Sequence, residues 1–398
     1  MTVSNAWKIY LLAIISFLVG TSEFIIAGIL DKVAEDIGVT VSAAGQLITV
    51  FSLAYAFGTP FLMAVTARME RRKLLLYSLG VFVIGNGIAV VLPGFEFLIG
   101  SRIILALSTG VFVVTALTVA SKLAPAGKQG GAIATLVMGF STSLIIGVPL
   151  GRVIASVYDW KMIFGGIGVL ALLAILAISF SIPRTDGEEP VPLRKQMALL
   201  KDKKIIVALT VTFFWIAGYS VTYTYISPFL LTVTGMSESV VSAALFAFGI
   251  ASLIGSKLGG YSTDKWGVSR TLIGGMLLHA VTLVLISLTA QYSAVMFALL
   301  MLWAFSAWSS GPTQQVNIIN LAPEASGIIL SLNTSMLQFA MAAGAGIGGI
   351  VVGQASLASV SWIGAASVAI AAGTAAASFG MSRSRRMAKE RALHKAGA

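Results

Sequence analysis

Twelve apolar runs decide what this chain can fold into. They fall near 7–30, 41–66, 74–92, 95–121, 130–156, 160–182, 204–231, 239–260, 270–289, 292–319, 326–353 and 359–381, separated by short breaks marked by polar residues, Gly or Pro. Each is close to the ~20 residues an α-helix needs to cross ~30 Å of hydrocarbon. Inside a bilayer no water is present to bond an open backbone, so runs of this kind read as helices whose amides are satisfied within the segment. Composition agrees: 57% of residues are hydrophobic and 10% charged, against about 25% charged in ordinary globular chains. The expected class is an all-α polytopic membrane protein with twelve transmembrane helices.

Lys and Arg orient those helices. Basic residues collect in alternate loops: Arg68, Arg71, Arg72 and Lys73; Lys122 and Lys128; Arg184, Arg194, Lys195, Lys201, Lys203 and Lys204; Lys265 and Arg270; then Arg383 to Lys395. By the positive-inside rule these loops are cytoplasmic, so both termini are expected inside a multi-pass protein of the cell (inner or plasma) membrane. The same rule accounts for the net charge of +11 without nucleic acid as a partner. The first apolar run is too long for a typical signal-peptide core and lacks a small-residue cleavage site, so it reads as a retained helix. No cysteine is present, which excludes disulfides and thiolate metal sites.

The longest polar stretch, "PRTDGEEPVPLRKQMALLKDKK", begins at Pro183 and divides the chain. The expected organisation is a six-helix bundle over 1–182, a cytoplasmic linker over 183–203, a second six-helix bundle over 204–381 and a basic cytoplasmic tail over 382–398. The halves are weakly alike: Gly20 precedes Arg68 by about the interval at which Gly218 precedes Lys265. Two six-helix pseudo-repeats around a central pathway are a transporter architecture, with the substrate site near the midplane. We expect a monomer.

Three motifs carry a family resemblance. After the eighth apolar run, "GGYSTDKWGVSR" places Gly260, Asp264, Lys265, Gly267 and Arg270 in the pattern G-x-x-x-D-[RK]-x-G-x-x-[RK]. The first-half counterpart, "AVTARMERRKLLL", keeps Arg68, Arg71 and Arg72 but has Ala67 in place of the acid and Glu70 in place of the glycine. In the fifth run, "GFSTSLIIGVPLGR" presents Gly147, Pro149 and Gly151, small residues that allow close helix approach beside a proline that bends the helix. "LIGSRIILALSTG" carries Arg102 inside the fourth apolar run. Together these resemble the major facilitator superfamily, and the fifth-run motif resembles its antiporter signature. The resemblance implies a conformational and gating role for Gly147, Pro149, Gly151, Asp264, Arg68 and Arg72, with Asp264 as an acceptor in a latch.

Glu23 sits inside the first apolar run, where a carboxylate is costly and marks function by default. Counted from Trp7 at ~1.5 Å per residue it lies ~24 Å along the helix, in its outer half. Arg102 reaches a comparable depth, with Arg152 nearby. Desolvation disfavours a charged carboxylate and a guanidinium favours it, so relative movement would switch Glu23 between holding and releasing a proton. Glu23 with Arg102 is the expected proton-coupling site; the alternative is a permanent structural ion pair between them. "VGTSEFIIAGILDKVAEDIGVTVSAAGQLITVF" further resembles a bacterial branch of the drug:proton antiporters that includes arabinose-type efflux permeases and purine nucleobase efflux pumps, with Asp31 where that branch has proline. "GYSVTYTYISPFL" and the run from Trp303 to Gly349 resemble the same branch, the purine exporters most closely.

Tyr219, Tyr223 and Trp308 offer flat π surfaces, and Gln314, Gln315, Asn333 and Gln338 offer paired amide donors and acceptors within apolar runs. Buried amides need partners, which either a planar heterocycle or neighbouring helices would provide. His279 reads as a satisfied or lipid-edge histidine. No nucleophile–base pair, metal-ligand cluster or phosphate-binding loop is apparent, so no enzyme, metal or cofactor is expected beyond a coupling proton, with sodium as the open alternative. The expected function is proton-coupled efflux of a small organic molecule by alternating access, purine bases or nucleosides first. Sugars, hydrophobic drugs as in multidrug carriers, or a non-transporting receptor on the same fold remain alternatives.

Overall fold

A computed structural model of the chain describes residues 3–125, 129–187, 199–323 and 326–396, and every regular element among them is helical. Among the described residues, twelve helices are long and apolar enough to cross a membrane. We number them α1 (Val3–Gly28), α2 (Val41–Val65), α3 (Arg71–Val91), α4 (Phe95–Leu123), α5 (Gln129–Thr142, continued through Ser143–Gly147 and Val148–Val157), α6 (Lys161–Ser181), α7 (Lys203–Tyr223), α8 (Glu238–Trp266), α9 (Val268–Leu288), α10 (Ser293–Leu321), α11 (Ser326–Gln354) and α12 (Val360–Ala396). Large apolar side chains such as Phe61, Leu150, Leu172 and Phe180 lie exposed on the outside of the bundle, the inverse of a water-soluble surface and the expected match to lipid.

Local chemistry sets most of the boundaries. The Thr40 hydroxyl accepts from the Ala43 amide at the start of α2, and the Asp202 carboxylate accepts from the Lys204 amide at the start of α7, each satisfying an otherwise orphaned donor of the first turn. Ser143–Gly147 is a π-helical turn immediately before Pro149. Proline removes one helical donor and crowds the preceding turn, and the widened turn accommodates it, with the Val148 amide bonding back to the Ser143 carbonyl. Past α7 the chain makes the same adjustment around Pro228, a short helical turn Ile226–Pro228 running into a π turn Phe229–Val233.

Two boundaries differ from the sequence expectation. The eighth apolar run was expected to end near 260, but α8 continues to Trp266 and breaks only at Gly267, whose φ of 82° is open to glycine. Much of the loop motif is therefore helix. At the C-terminus, α12 runs as helix to Ala396, beyond the end of the apolar run at 381.

Helix packing repeats with a six-helix offset. In the first half α1 packs on α5, α2 on α4, and α3 on both α4 and α6; in the second, α7 packs on α11, α8 on α10, and α9 on both α10 and α12. The tightest contacts repeat too. A side chain at Gly139 of α5 would run into the Ala13 carbonyl of α1, and one at Gly344 of α11 would run into the Ala217 carbonyl of α7. Backbone thus meets backbone at matching places, as small residues permit in membrane helices. The halves join along two seams, α2 against α11 and α5 against α8.

One face of the bundle carries the start of α1 and the end of α4, tied by the Asn5 amide donating to the Leu123 carbonyl at 3.3 Å. Here too the Arg71 amide donates to the Thr185 carbonyl, and the Arg72 guanidinium to the Ser179 carbonyl. We call this the terminal face and its opposite the distal face. Of the expected linker, residues 188–198 lie outside the described residues, Arg194 and Lys195 among them; Lys128 does too.

Candidate functional site

Glu23 lies at the junction of the two halves. It occupies α1 just before the helix ends at Gly28, is 6% exposed, and shares a narrow cleft with Phe51 and Ser52 of α2, Arg102 of α4, Tyr219, Ser220 and Tyr223 of α7, and Met341 of α11. The glycines of α5 bring it there. A side chain at Gly147 would strike Thr21, and one at Gly151 would strike Ile25, so α5 lies flat against the turn of α1 that holds Glu23. Pro149, between them, is buried.

Arg102 is fully buried beside Glu23, yet the two side chains form no ion pair. The guanidinium donates to the backbone carbonyls of Ser22 (2.8 Å) and Glu23 (3.0 Å) and lies over the Phe51 ring, 4.3 Å from its centroid. Such charge-assisted and cation–π contacts hold a buried cation without consuming the carboxylate. The carboxylate takes its bond from the other half: the Gln338 amide of α11 donates to Glu23 Oε1 at 3.1 Å. Glu23 Oε2 and Gln338 Oε1 are buried with no partner. The permanent Glu23–Arg102 ion pair considered from sequence is therefore absent.

Tyr219 and Tyr223 form the aromatic wall of the cleft. Their rings stack 5.0 Å apart at 15°. Behind them Trp303 contacts both, and its indole N–H donates to His279 Nε2 at 2.8 Å, so His279 is a core residue held through Nε2, with Nδ1 buried and unpartnered. Trp308 meets the edge of Tyr219, 6.4 Å between centroids.

The other amides expected at a substrate site lie elsewhere. Gln314 donates to the Ala208 carbonyl and the Thr212 hydroxyl, and Thr212 in turn donates to Asn333. These residues tie α7, α10 and α11 together nearer the terminal face, and Gln315 is exposed. Helix positions three or four apart share a face whereas adjacent ones point about 100° apart, so Gln314 is buried and Gln315 is not, and sequence alone did not phase that turn. The latch expected at Asp264 is not engaged: it is exposed in the last turn of α8, without a partner among the described residues, because the helix runs past it. Arg68 is exposed on the loop after α2, whereas Arg72 is committed to the end of α6.

A charged cluster that no local sequence pattern assembles lies at the distal face. Arg152, fully buried, donates to the Gly28 carbonyl (3.0 Å), to Asp31 and to Glu238 (2.5 Å), and Lys32 pairs with Glu238 at 2.8 Å. It joins α1 and α5 of one half to α8 of the other. The signal was available in Asp31, an acid in place of the branch's proline, and in Arg152 directly after Gly151. Further seam contacts gather on this side: Ser42 donates to the Gly349 carbonyl (2.6 Å), and Ser227 to the carbonyls of Ala27 and Gly28 (3.0 Å each). The distal face is thus closed. Nearby, Asp36 accepts from Trp160 and Lys161, and the Lys161 hydrogen bond holds its carboxyl below the ordinary 3.8. Among the described residues no cluster of three His, Asp or Glu is placed to hold a metal.

Comparison with known proteins places this architecture. The family model described as Major Facilitator Superfamily matches residues 12–344 and again 208–396. The chain is 59% identical to the uncharacterized MFS-type transporter YbcL of Bacillus subtilis, over 92% of this chain and 94% of that one. It is 30% identical to the inner membrane transport protein YdhP of Escherichia coli K12, covering 86% and 87%, and 28% identical to a probable sugar efflux transporter of Helicobacter acinonychis, covering 90% and 92%. Among solved structures, a bacterial homolog of the human lysosomal transporter Spinster, inward-facing and unoccupied, superposes with a TM-score of 0.76 at 16% identity, covering 95% of this chain and 97% of that one.

Proposed function

Because this chain belongs to the Major Facilitator Superfamily, a family of membrane transporters, we propose that it is a proton-coupled exporter of small organic molecules that works by alternating access, with Glu23 as the proton carrier. One observation carries the reading: a buried carboxyl at the seam between the halves, bonded through one oxygen by Gln338 of the opposite half and left with the other oxygen free. A group in that position changes its surroundings whenever the halves rock. The lysine- and arginine-rich loops lie on the terminal face, so that face is cytoplasmic in this reading, the membrane is the cell membrane and the protein acts as a monomer. The distal closure then corresponds to an inward-facing state, in which Glu23 gives its proton to the cytoplasm and substrate enters. The outward-facing state releases substrate and reloads Glu23 from outside. Arg102 holds the Glu23 turn of α1 in place throughout.

Planar purine bases or nucleosides are the first substrate class. Tyr219 and Tyr223 supply a stacking face, and Glu23 Oε2 and Gln338 Oε1 supply two buried acceptors for ring N–H or exocyclic amine donors, groups that need partners once desolvated. Sugars are the second class, favoured by the name of the Helicobacter relative and by the hydroxyls of Ser52, Ser220 and Thr224 on the cleft wall.

The test uses purified protein in liposomes containing a pH dye, challenged with purine bases, nucleosides, pentoses and cationic dyes. Wild type should show substrate-driven proton movement, and Glu23→Gln none while it remains folded. Undiminished proton movement in that variant removes Glu23 as carrier. Flux with pentoses alone replaces the purine assignment by the sugar one.

A further inference from the structure

Glu23 and Gln338 each use one end of a two-ended group and leave the other end stranded. The amide N–H of Gln338 bonds Glu23 Oε1, while Glu23 Oε2 and Gln338 Oε1 are both acceptors, both buried and both without partners. An ionised carboxylate only accepts, so it cannot bond the amide oxygen; a carboxylic acid carries one O–H donor, and an amide carries one acceptor besides its donors. One added proton therefore satisfies both stranded atoms together. None of the cationic and titratable side chains around the pair bonds either stranded oxygen: Arg102 of α4 donates to the Ser22 and Glu23 carbonyls with its Nε left unpartnered, Tyr55 of α2 lies within reach of the Glu23 charge, and Tyr219 and Tyr223 of α7 stack on each other, the Tyr219 hydroxyl also without a partner. On α5 the facing positions are Gly147 and Gly151, and α11 contributes Gln338 itself.

From this we infer that Gln338 is the residue that reads the protonation state of Glu23: protonation at Oε2 closes a two-bond acid–amide ring, with O–H donating to Gln338 Oε1 and the Gln338 N–H donating to Glu23 Oε1, which clamps α11 to α1 across the seam. No covalent bond to carbon changes; the proton arrives at Oε2 and departs from it. The clamp adds to the distal closure already described, so the proton-loaded carrier favours the closed distal face. Loss of the proton leaves one bond and two free acceptors, and these are the acceptors a substrate with N–H donors would take. Competition between proton and substrate then follows from a shared pair of atoms. The inference rests on the assignment of Glu23 as proton carrier.

The test is difference infrared spectroscopy of the full chain in liposomes across a pH step, comparing wild type, Glu23→Gln and Gln338→Met. Wild type should develop a protonated-carboxyl C=O band that Glu23→Gln lacks, and in Gln338→Met that band should stand at higher wavenumber, because the acid has lost its hydrogen-bond partner. A Glu23-dependent band at the same position in wild type and Gln338→Met overturns the ring and leaves the carrier assignment standing. No Glu23-dependent band at any pH overturns the carrier assignment itself. A second readout does not depend on the spectrum of the variant. With no native cysteine, a single cysteine at Thr49, which packs against Gly346 in the α2–α11 seam, can be labelled by a membrane-impermeant maleimide. In an otherwise wild-type chain, labelling from the distal side should slow as Glu23 protonates; labelling that does not change with pH overturns the clamp.

Discussion

Arg152 and Glu238 meet at 2.5 Å, and through that contact α5 of the first half is held to α8 of the second. The same arginine reaches back to Gly28 at the end of α1 and to Asp31 in the short helix Leu30–Ile37 that follows it. A single buried guanidinium thus fastens three segments from both halves at one face, on the same side of the cleft as the other seam bonds.

Neutralising that fastener should open the distal face. In Glu238→Gln the pairing with Arg152 and Lys32 is lost, and since Glu238 is 38% exposed the loss amounts to about 1 kcal/mol. Labelling of the Thr49→Cys reporter from the distal side is expected to accelerate about fivefold, the kinetic counterpart of that energy. An unchanged rate means the cluster does not hold the closed state.

Arg102 and Glu23 should separate cleanly by stability. Arg102→Ala removes two charge-assisted bonds to the α1 backbone and should destabilise the protein by about 3 kcal/mol, visible as a lowered unfolding temperature in detergent. Arg102→Lys should recover little, because a single ammonium does not reproduce the planar fork. Glu23→Gln preserves the carbonyls that Arg102 binds and should unfold near the wild-type temperature. Equal losses for Arg102→Ala and Glu23→Gln would mean that the side chains act as a pair after all.

Gly139 and Gly344 should be equally intolerant of a methyl group. Each faces a backbone carbonyl, of Ala13 and Ala217 respectively, which cannot swing away as a side chain would. Gly139→Ala and Gly344→Ala are each expected to cost about 1–3 kcal/mol by overpacking. Gly80 has open space around it, so Gly80→Ala is the control and should be neutral or mildly stabilising. Thermal unfolding of the three variants checks the set.

Asp36 links a small part of the stability to pH. Its folded value lies below the ordinary 3.8, chiefly through the Lys161 hydrogen bond. The stabilisation is therefore complete above pH 3.8 and disappears as pH falls through the lower, folded value. For so exposed a group it should stay under about 1 kcal/mol. Wild type and Asp36→Asn should differ in unfolding temperature at neutral pH and converge in acid; a constant difference would assign the effect to packing of Trp160.

The residues of the candidate site were legible one at a time. Glu23 and Arg102 stood out because charge within an apolar run is rare, and Tyr219, Tyr223 and Gln338 because polar and aromatic groups there need a reason. Their pairing was not legible. Arg102 was the obvious partner for Glu23 by depth, yet it bonds carbonyls, because backbone acceptors of α1 lie where its fork points. Gln314, Asn333 and Gln338 looked alike in sequence, and only the rotation and tilt of α10 and α11 send the first two toward Thr212 and the third toward Glu23. Asp264 shows the same limit along the helix axis: α8 runs about one and a half turns farther than its apolar run and carries Asp264 in its last turn.

By itself the sequence determined the class of protein and its twelve helices, and it set the expectation of two halves and of loops that alternate across the membrane. Those properties follow from the length of apolar runs and the placement of Lys and Arg, which are local quantities summed along the chain. Tertiary structure alone decided that Gln338 bonds Glu23, that Arg152 joins Asp31 to Glu238, and that the distal face is the closed one. Each of those contacts joins residues whose separation in space depends on how one six-helix half is placed against the other, and no local pattern in the chain encodes that placement.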